Sequence, residues 1–259
     1  MNQAERRIYL IQSLLKERPE YQDMSVPTDR QEQKMLLRGL INVRMPDNID
    51  RKFLEIQDAY LQEEIKKKHI TKLSDLEPLQ DDLYLWQGDI TALECDAIVN
   101  AANSGMTGCY VPNHRCIDNC IHTFAGIQLR NECAKIMRAQ GFEEPTGKAK
   151  ITKAYNLPCR YILHTVGPIV QGKLTKKDEA MLASCYRSCL ELAEQNEIKS
   201  IAFCCISTGE FHFPNRQAAE IAVQTVMEYR RETGSAMEVI FNVFKDLDKE
   251  IYKKLLGRN

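Results

Sequence analysis

Two cysteines and one histidine are grouped in a short segment of this 259-residue chain, and their side chains are of the kind that binds metal ions. Cys109, His114 and Cys116 follow the spacing C-x4-H-x-C. Thiolate and imidazole donors together favour Zn²⁺, and three protein ligands leave the fourth position open, as in catalytic zinc sites. Short loops with Cys and His also occur as packing elements without a metal. The spacing alone therefore leaves both a zinc site and a metal-free packing loop open.

Three further polar motifs each begin where a strand is predicted to end, at 88–91, 100–103 and 207–209. Ligands of open α/β sheets bind in the crevice outside the carboxyl ends of the strands, so the three motifs should meet there. Their small residues let backbone N–H groups approach an anion, and the Asp89 carboxylate can accept hydrogen bonds from an exocyclic amine. The combination favours a nucleotide-like ligand.

The common phosphate-binding and acyl-transfer motifs do not match. The segment 141–148 has five residues between its glycines, and Ala149 follows where a Walker loop needs Ser or Thr. No G-x-G-x-x-G follows a predicted strand, and Ser207 is followed by Thr and Gly rather than lying within G-x-S-x-G. The ATPase, dehydrogenase and serine hydrolase interpretations are therefore disfavoured.

The charge balance bears on the partners of the chain. Thirty-five Lys and Arg against 36 Asp and Glu give a net charge of -1, which lacks the basic surplus of a protein that binds a phosphate backbone. The sequence has neither an apolar run of bilayer length nor the apolar stretch of a signal peptide at its start. We therefore expect a cytoplasmic chain with reduced thiols and with neither nucleic acid nor a membrane as partner.

The elements that must position these residues fall into two parts. Up to residue 80 the apolar residues recur at helical spacing, as at Ile8, Ile11 and Leu15, which predicts three helices and no strand. We expect 1–80 to be an all-helical N-terminal extension that serves as a structural addition or lid, outside the ligand pocket. From residue 81 onward, strands alternate with helical periods. The strands are predicted at 83–86, 97–99, 149–154, 161–165, 200–206 and 238–244.

This alternation predicts an α/β fold over 81–259, with a mixed or mostly parallel sheet covered by helices on both faces. One helical period precedes Gly141, a second spans Leu182 and Cys189, a third precedes Gly234, and 246–256 closes the chain. His164 lies in an apolar strand and is expected to be a core histidine. Phe244, just past the last strand, could either stack on a base or pack in the core.

Four ordered motifs carry a resemblance to a known family. They are QGDIT at 87–91, IVNAAN at 98–103, IDNCIHTFAG at 117–126 and ISTGEFHFP at 206–214. The chain from residue 81 resembles a macrodomain of the ADP-ribose-hydrolysing branch, which implies a three-layer α/β/α fold with a mixed central sheet. By this resemblance Asn103 and Asp118 face the distal ribose and are the catalytic candidates. The implied ADP-ribose-binding residues are Asp89, Ile90, Asn103, Ser207, Thr208, Gly209, Glu210 and Phe211.

Asn103 and Asp118 could also serve only in turns, since Asx turns are common, but their positions within two of the motifs favour a function. One segment departs from the usual family pattern. At 108–118, where the branch has a glycine-rich run, this chain carries the Cys/His spacing described above. This variant resembles the zinc-containing macrodomains associated with microbial sirtuins, which implies Zn²⁺ as cofactor. Cys120 and His122 belong to a C-I-H that zinc-free relatives also carry, so the metal ligands implied are Cys109, His114 and Cys116.

The resemblance implies a zinc-dependent hydrolase that removes mono-ADP-ribose from acidic side chains of modified proteins. Its partners would be ADP-ribose, the mono-ADP-ribosylated protein and a sirtuin-type ADP-ribosyltransferase. By the resemblance, Asp89 and Ile90 hold adenine, and residues 208–211 surround the diphosphate. Two alternatives remain open at this stage. A reader that binds ADP-ribose without turnover would need the same adenine and diphosphate motifs but no metal loop. A deacetylase that acts on O-acetyl-ADP-ribose would use the same pocket.

Overall fold

The N-terminal region is built from three helices that bury a small core of their own. They are α1 (Gln3–Lys16), α2 (Arg30–Val43) and α3 (Arg51–Lys66) in the computed structural model, which describes residues 1–21 and 23–257. Each begins after an Asn or Asp whose side chain accepts a hydrogen bond from a backbone N–H of the first turn, as helix caps do. The apolar faces meet in a buried cluster that includes Leu10, Ile11, Leu37, Phe53 and Tyr60.

The expectation of no strand before residue 81 is wrong in one place, so the extension is not entirely helical. A two-residue strand, β1 (Thr71–Lys72), pairs in parallel with residues 93 and 94, which follow the first central strand, β2 (Leu83–Gln87). We label this second short strand β3 (Leu93–Glu94). Two residues carry no detectable alternation, so periodicity could not predict the pair. The division of the chain at residue 80 stays a prediction, and β1 pairs across it.

A six-stranded sheet forms the centre of the molecule, with a strand at each of the six predicted places. The strands after β2 are β4 (Ala97–Ala102), β5 (Ala149–Lys153), β6 (Tyr161–Val166), β7 (Ser200–Phe203) and β8 (Glu238–Val243). Their order is β2-β8-β7-β4-β6-β5. All neighbours are parallel except β5, which runs antiparallel to β6 at one edge. The sheet is therefore mixed, as predicted, and the carboxyl ends of its five parallel strands lie along one edge of the sheet.

Two groups of helices cover the sheet. One contains α4 (Ile117–Ala125), which contacts β4, and α5 (Ile127–Gln140), which contacts β5. The other contains α6 (Lys176–Gln195), α7 (Asn215–Thr233) and α8 (Asp246–Leu256), packed side by side. The sequence predicts one helical period where α4 and α5 lie. Gly126 separates them with a φ of 101°, a backbone conformation that favours glycine.

The extension docks on the helix layer formed by α4 and α5. The buried guanidinium of Arg130, on α5, donates from Nη1 to the carbonyl oxygens of Ile41, Asn42 and Arg44 at 3.1, 2.7 and 2.6 Å. These carbonyls lie at the C-terminal end of α2, where the helix has no internal donors for them. Ile127 is buried within the apolar cluster of the extension. None of the helices described is long and apolar enough to cross a membrane.

Candidate active site

Asn103 and Asp118 lie next to each other at the carboxyl end of β4. Asn103 directly follows the strand, and Asp118 lies in the first turn of α4. The Asn103 amide donates from Nδ2 to Asp118 Oδ2 at 3.2 Å and to the carbonyl oxygen of Gly108 at 3.1 Å. Its oxygen accepts the backbone N–H of Gly105 at 3.0 Å. Strand end, loop and helix are thus tied together through one amide.

The Asp118 carboxylate is nearly enclosed, with 5% of the residue exposed. Asn100, inside β4, donates from Nδ2 to Asp118 Oδ1 at 2.8 Å, so each carboxylate oxygen accepts one amide N–H. Burial raises the pKa of Asp118 to about 6, although the hydrogen bond from Asn100, the charge of Arg130 and the hydrogen bond from Asn103 act in the opposite direction. The carboxylate is therefore held in a fixed orientation, shielded from most of the solvent.

A buried polar chain continues behind Asp118. Asn100 Nδ2 also lies 3.1 Å from His164 Nδ1, and the other ring nitrogen of His164 lies 2.9 Å from Thr152 Oγ1. His164 is fully buried, as expected of a core histidine, and burial lowers its pKa to about 3. Its neutral ring therefore links two strands by hydrogen bonds. Thr152 was not predicted from the sequence, and Asn100 was predicted only as the first residue of the 100–103 motif, with no role of its own.

The three predicted metal ligands are brought together. The thiol sulfurs of Cys109 and Cys116 and the His114 ring offer atoms that all lie within 4.8 Å of one another, and each residue is half-buried. Cys109 Sγ lies 3.6 Å from His114 Nδ1. Cys116 is the N-cap of α4 and accepts the backbone N–H of Asn119 at 3.4 Å. Burial raises the pKa of the Cys116 thiol.

The chemistry of this donor set fits a zinc ion. Two sulfurs and one imidazole nitrogen in a single half-buried cluster are ligands that Zn²⁺ prefers. Gly108 precedes the cluster with a φ of 85°, and a Cβ on it would lie 2.7 Å from Cγ of His122. The loop can therefore pass close to α4 only with a glycine there. Cys120 lies outside the cluster and accepts a hydrogen bond from Arg38 instead.

Asp89 and Ile90 follow β2, at the same edge of the sheet. Asp89 Oδ1 accepts the backbone N–H of Thr91 at 3.0 Å, and Lys68 Nζ, just beyond α3, donates to Oδ2 at 2.7 Å. Burial acts to raise the pKa of Asp89, but the hydrogen bond and charge of Lys68 outweigh it and lower the pKa. The Ile90 side chain is buried in the core, so its backbone is the part that can contact a ligand. Lys68 was not predicted, because only the fold brings it to Asp89.

The segment 207–211, which contains five of the residues implied to bind ADP-ribose, lies in the loop after β7. Ser207 has a φ of 65°, and the loop closes on itself where the Phe213 N–H donates to the Ser207 carbonyl at 2.9 Å. Thr208 Oγ1 donates to the carbonyl of Cys205 at 3.0 Å, and the carbonyl of Phe211 accepts the N–H of Val170 at 2.9 Å. Gly209 and Glu210 are exposed at the tip.

Glu210 approaches the cluster of Cys109, His114 and Cys116. Its Oε1 lies 3.8 Å from His114 Nε2, the ring nitrogen other than the one that faces Cys109. The loop after β7 and the Cys/His loop therefore border the same space. Phe244, which follows β8, is 75% exposed. Its ring therefore lies outside the core. This excludes core packing, which was one of the two roles expected for Phe244.

The site belongs to an α/β protein whose polar loops lie together at the carboxyl ends of the parallel strands. Comparisons with known proteins identify the family. Residues 99–222 match the macro domain family. A Treponema medium protein named protein-ADP-ribose hydrolase is 59% identical over 261 residues, covering 99% of this chain and 100% of the relative. The chain belongs to the macro domain family.

Two further comparisons add to this. A Fusarium oxysporum protein named probable bifunctional ADP-ribose hydrolase/ADP-ribosyltransferase is 41% identical over 86% of this chain and 40% of its own length. The crystal structure of a Trypanosoma brucei macrodomain in complex with ADP-ribose has a TM-score of 0.67 and 31% identity, and the match covers 85% of this chain and 95% of that one. The macrodomain fold predicted from the motifs is thus confirmed.

Proposed function

We propose that this protein is a zinc-dependent hydrolase that releases mono-ADP-ribose from acidic side chains of modified proteins. The observation that carries the proposal is the pairing of Asn103 with Asp118, 3.2 Å apart, beside a thiol and imidazole cluster on the next loop. A relative of 59% identity over nearly the full chain is named protein-ADP-ribose hydrolase, which supports a hydrolase. The T. brucei complex supports ADP-ribose as the ligand.

The bond to be cut is a glycosyl ester between the distal ribose and a carboxyl group. Water adds across it, giving free ADP-ribose and a free carboxylic acid. Asn103 would orient a ribose hydroxyl, and Asp118 would accept the proton of the attacking water or polarise the ribose, as a positioned carboxylate can. Asn100 and Asn103 each donate one N–H to Asp118, which fixes the carboxylate for this role.

Cys109, His114 and Cys116 would hold the zinc ion. When bound there, the metal would act as a Lewis acid that can polarise a water molecule or anchor a ribose hydroxyl. Glu210 lies near the far nitrogen of His114, and a carboxylate in that position orients a ligating histidine. Glu210 would thus orient His114 in the metal loop, and it would also border the diphosphate.

The proposal extends to the ligand and the partner. Asp89 would accept the adenine amine, the backbone of Ile90 would contact neighbouring groups, and Thr208, Gly209, Glu210 and Phe211 would surround the diphosphate, with Ser207 as a further ADP-ribose-binding residue of the same loop. A sirtuin-type ADP-ribosyltransferase would supply the modified protein. The F. oxysporum relative, whose name joins an ADP-ribose hydrolase to an ADP-ribosyltransferase, supports an ADP-ribosyltransferase as partner.

Metal content and turnover together test the proposal. Elemental analysis of the purified protein should give about one zinc per chain, and a Cys109→Ala, Cys116→Ala double variant should contain far less. His114→Ala should abolish release of ADP-ribose from an acidic linkage, while calorimetry finds a much smaller change in the Kd of free ADP-ribose. Wild-type protein that binds ADP-ribose but releases none from any modified acceptor would instead identify a reader.

A further inference from the structure

One face of α2 in the extension contacts the Cys/His loop directly. Arg38, Gly39 and Asn42 lie at helical spacing on the same side of α2, facing residues 112–114 and the start of α4. A Cβ on Gly39 would lie 3.3 Å from Nδ2 of Asn113, so the helix backbone and the loop are in close contact. No residue of this α2 face belongs to the site described above.

Arg38 spans the loop and α4. Its Nη2 donates to the carbonyl oxygen of His114 at 2.7 Å, to Asn119 Oδ1 at 3.0 Å and to Cys120 Sγ at 3.4 Å. A charged donor shared among three acceptors is stronger than a neutral hydrogen bond and keeps their relative positions. The backbone of one metal-ligand candidate is thereby fixed to the helix that carries Asp118.

Asn42 holds the residue before His114. It is fully buried, and its Oδ1 accepts the backbone N–H of Asn113 at 2.9 Å while its Nδ2 donates to Thr123 Oγ1 at 2.9 Å. Asn113 has a φ of 56°, in the left-handed region that is unfavourable for most residues and tolerated by Asn. Without Asn42 the N–H of Asn113 would lose its protein acceptor, and the turn would be held only from its two sides, by the hydrogen bond from the His114 N–H to the Val111 carbonyl at 3.2 Å and by Arg38.

We infer that the extension is a working part of the active site, in which Arg38 and Asn42 are positioning residues that hold the Cys/His loop ready for its metal. The inference about loop order stands on these contacts alone. Its consequence for turnover rests on the proposed function. The hydrogen bonds of Arg38 and Asn42 go to His114, Asn119, Cys120, Asn113 and Thr123 rather than to the sulfurs of Cys109 and Cys116 or to Asn103 and Asp118, so the two residues act through the loop and through α4.

Hydrogen exchange of the full-length, metal-free protein tests loop order without reference to activity. Arg38→Met keeps an unbranched apolar stem and removes the guanidinium donors, so amides of residues 109–116 should exchange roughly tenfold faster or more. Arg6→Met, which breaks an ion pair with Glu63 inside the extension, is the matched control and should leave that segment unchanged. Unchanged exchange of 109–116 in a folded Arg38→Met variant overturns the inference.

A metal titration supplies the second readout, and Co²⁺ is the probe because its thiolate complexes absorb light. Arg38→Met should bind Co²⁺ about tenfold or more weakly than the wild type, while the Kd of free ADP-ribose changes by less than about threefold. Arg38→Lys keeps the charge and should lie between the two, and it replaces Arg38→Met if that variant does not fold. Equal Co²⁺ affinity in wild type and variant contradicts the inference, whereas failure of the wild type to hydrolyse contradicts only the proposed function.

Discussion

The Asp118 carboxylate and the Asn103 amide lie at the centre of the site, and their hydrogen bonds hold both groups in fixed orientations. Asp118 is buried and accepts one N–H on each oxygen, so its remaining lone pairs point in defined directions. Asn103 uses both ends of its amide, on Asp118 and on the Gly105 N–H. A reacting sugar placed beside them would meet groups that need little reorganisation, which is a major source of catalysis.

Removing either group should therefore reduce turnover far more than binding. We expect Asn103→Ala and Asp118→Ala each to slow release of ADP-ribose by about 100-fold or more, with a much smaller change in its Kd. The double variant should be little slower than the worse single variant, because both residues act on one step. Single-turnover assays and calorimetry measure the two effects. Asn196→Ala removes an exposed amide that donates to the Leu192 carbonyl, outside the site motifs, and serves as the control. Additive losses would show that the two residues act independently.

Asp89 provides the second test at this scale, because its carboxylate has two possible roles. If it accepts the adenine amine, Asp89→Ala should weaken binding of ADP-ribose by about 1–3 kcal/mol. Lys68 also loses its partner in that variant, since it donates to Asp89 Oδ2 at 2.7 Å. Lys68→Met separates the effects, because it leaves the carboxylate in place. An equal loss of affinity in both variants would mean that the ion pair, not contact with adenine, is what binding requires.

At the scale of elements, α4 joins the two halves of the site. Its N-cap is Cys116 and its first turn contains Asp118, so the Cys/His cluster and the carboxylate meet at one helix end. The N-terminus of a helix favours negative charge, which suits the Asp118 carboxylate and would suit the Cys116 sulfur as a metal-bound thiolate. The sequence motifs predicted both residues. They did not predict the break between α4 and α5, because it depends on the backbone conformation of Gly126 and does not interrupt the periodic spacing of the apolar residues.

The helices of the extension are joined by a carboxylate whose protonation should loosen them. Glu64 on α3 accepts from Lys34 Nζ on α2 at 2.6 Å and from Gln3 Nε2 on α1 at 3.0 Å. Burial acts to raise the pKa of Glu64, but these hydrogen bonds and one from Lys67 outweigh it and lower the pKa to about 2. A lowered pKa stabilises the folded state at pH values above 4.5, the ordinary pKa of a Glu side chain. This contribution disappears as the pH falls from 4.5 towards 2.

Glu64→Gln should accordingly lower the free energy of unfolding at pH 7 by about 1–2 kcal/mol. The difference from wild type should shrink as the pH falls below 4.5. Urea unfolding at several pH values measures it. Glu55→Gln, on the exposed side of α3 where it pairs with Arg51, should have almost no effect. A difference between Glu64→Gln and wild type that does not depend on pH would rule out the ion pair as its cause.

Truncation tests how far the extension and the rest of the chain depend on each other. From sequence we expect a chain that starts at residue 79 to bind free ADP-ribose if it folds. The contacts lead us to expect that it folds poorly, because Arg130 loses three carbonyl acceptors and Ile127 loses its apolar neighbours. Thermal unfolding and size-exclusion chromatography measure this. A truncated chain that melts like the full chain and binds ADP-ribose equally well would contradict the dependence.

At the scale of the whole molecule, the sequence predicted best what is local. Each of the six central strands carries its own apolar pattern, and the Cys/His loop is contained within eight residues, from Cys109 to Cys116. The partners that hold these groups come from distant parts of the chain. Arg38 reaches His114 across 76 positions, and Arg130 reaches Ile41 across 89. Polar contacts of that separation follow from the fold and have no periodic signal in one sequence, so the extension could be predicted as helical but not as part of the site.

The most direct test of the account is hydrolysis of a protein carrying mono-ADP-ribose on an acidic side chain, followed by mass spectrometry with and without the metal. The zinc-loaded wild type should release free ADP-ribose and restore the unmodified carboxyl group. Removal of the metal by a chelator, verified by elemental analysis, should stop release, and added Zn²⁺ should restore it. Undiminished release by the verified metal-free protein would contradict a zinc-dependent hydrolase and leave the cluster a structural element of its loop.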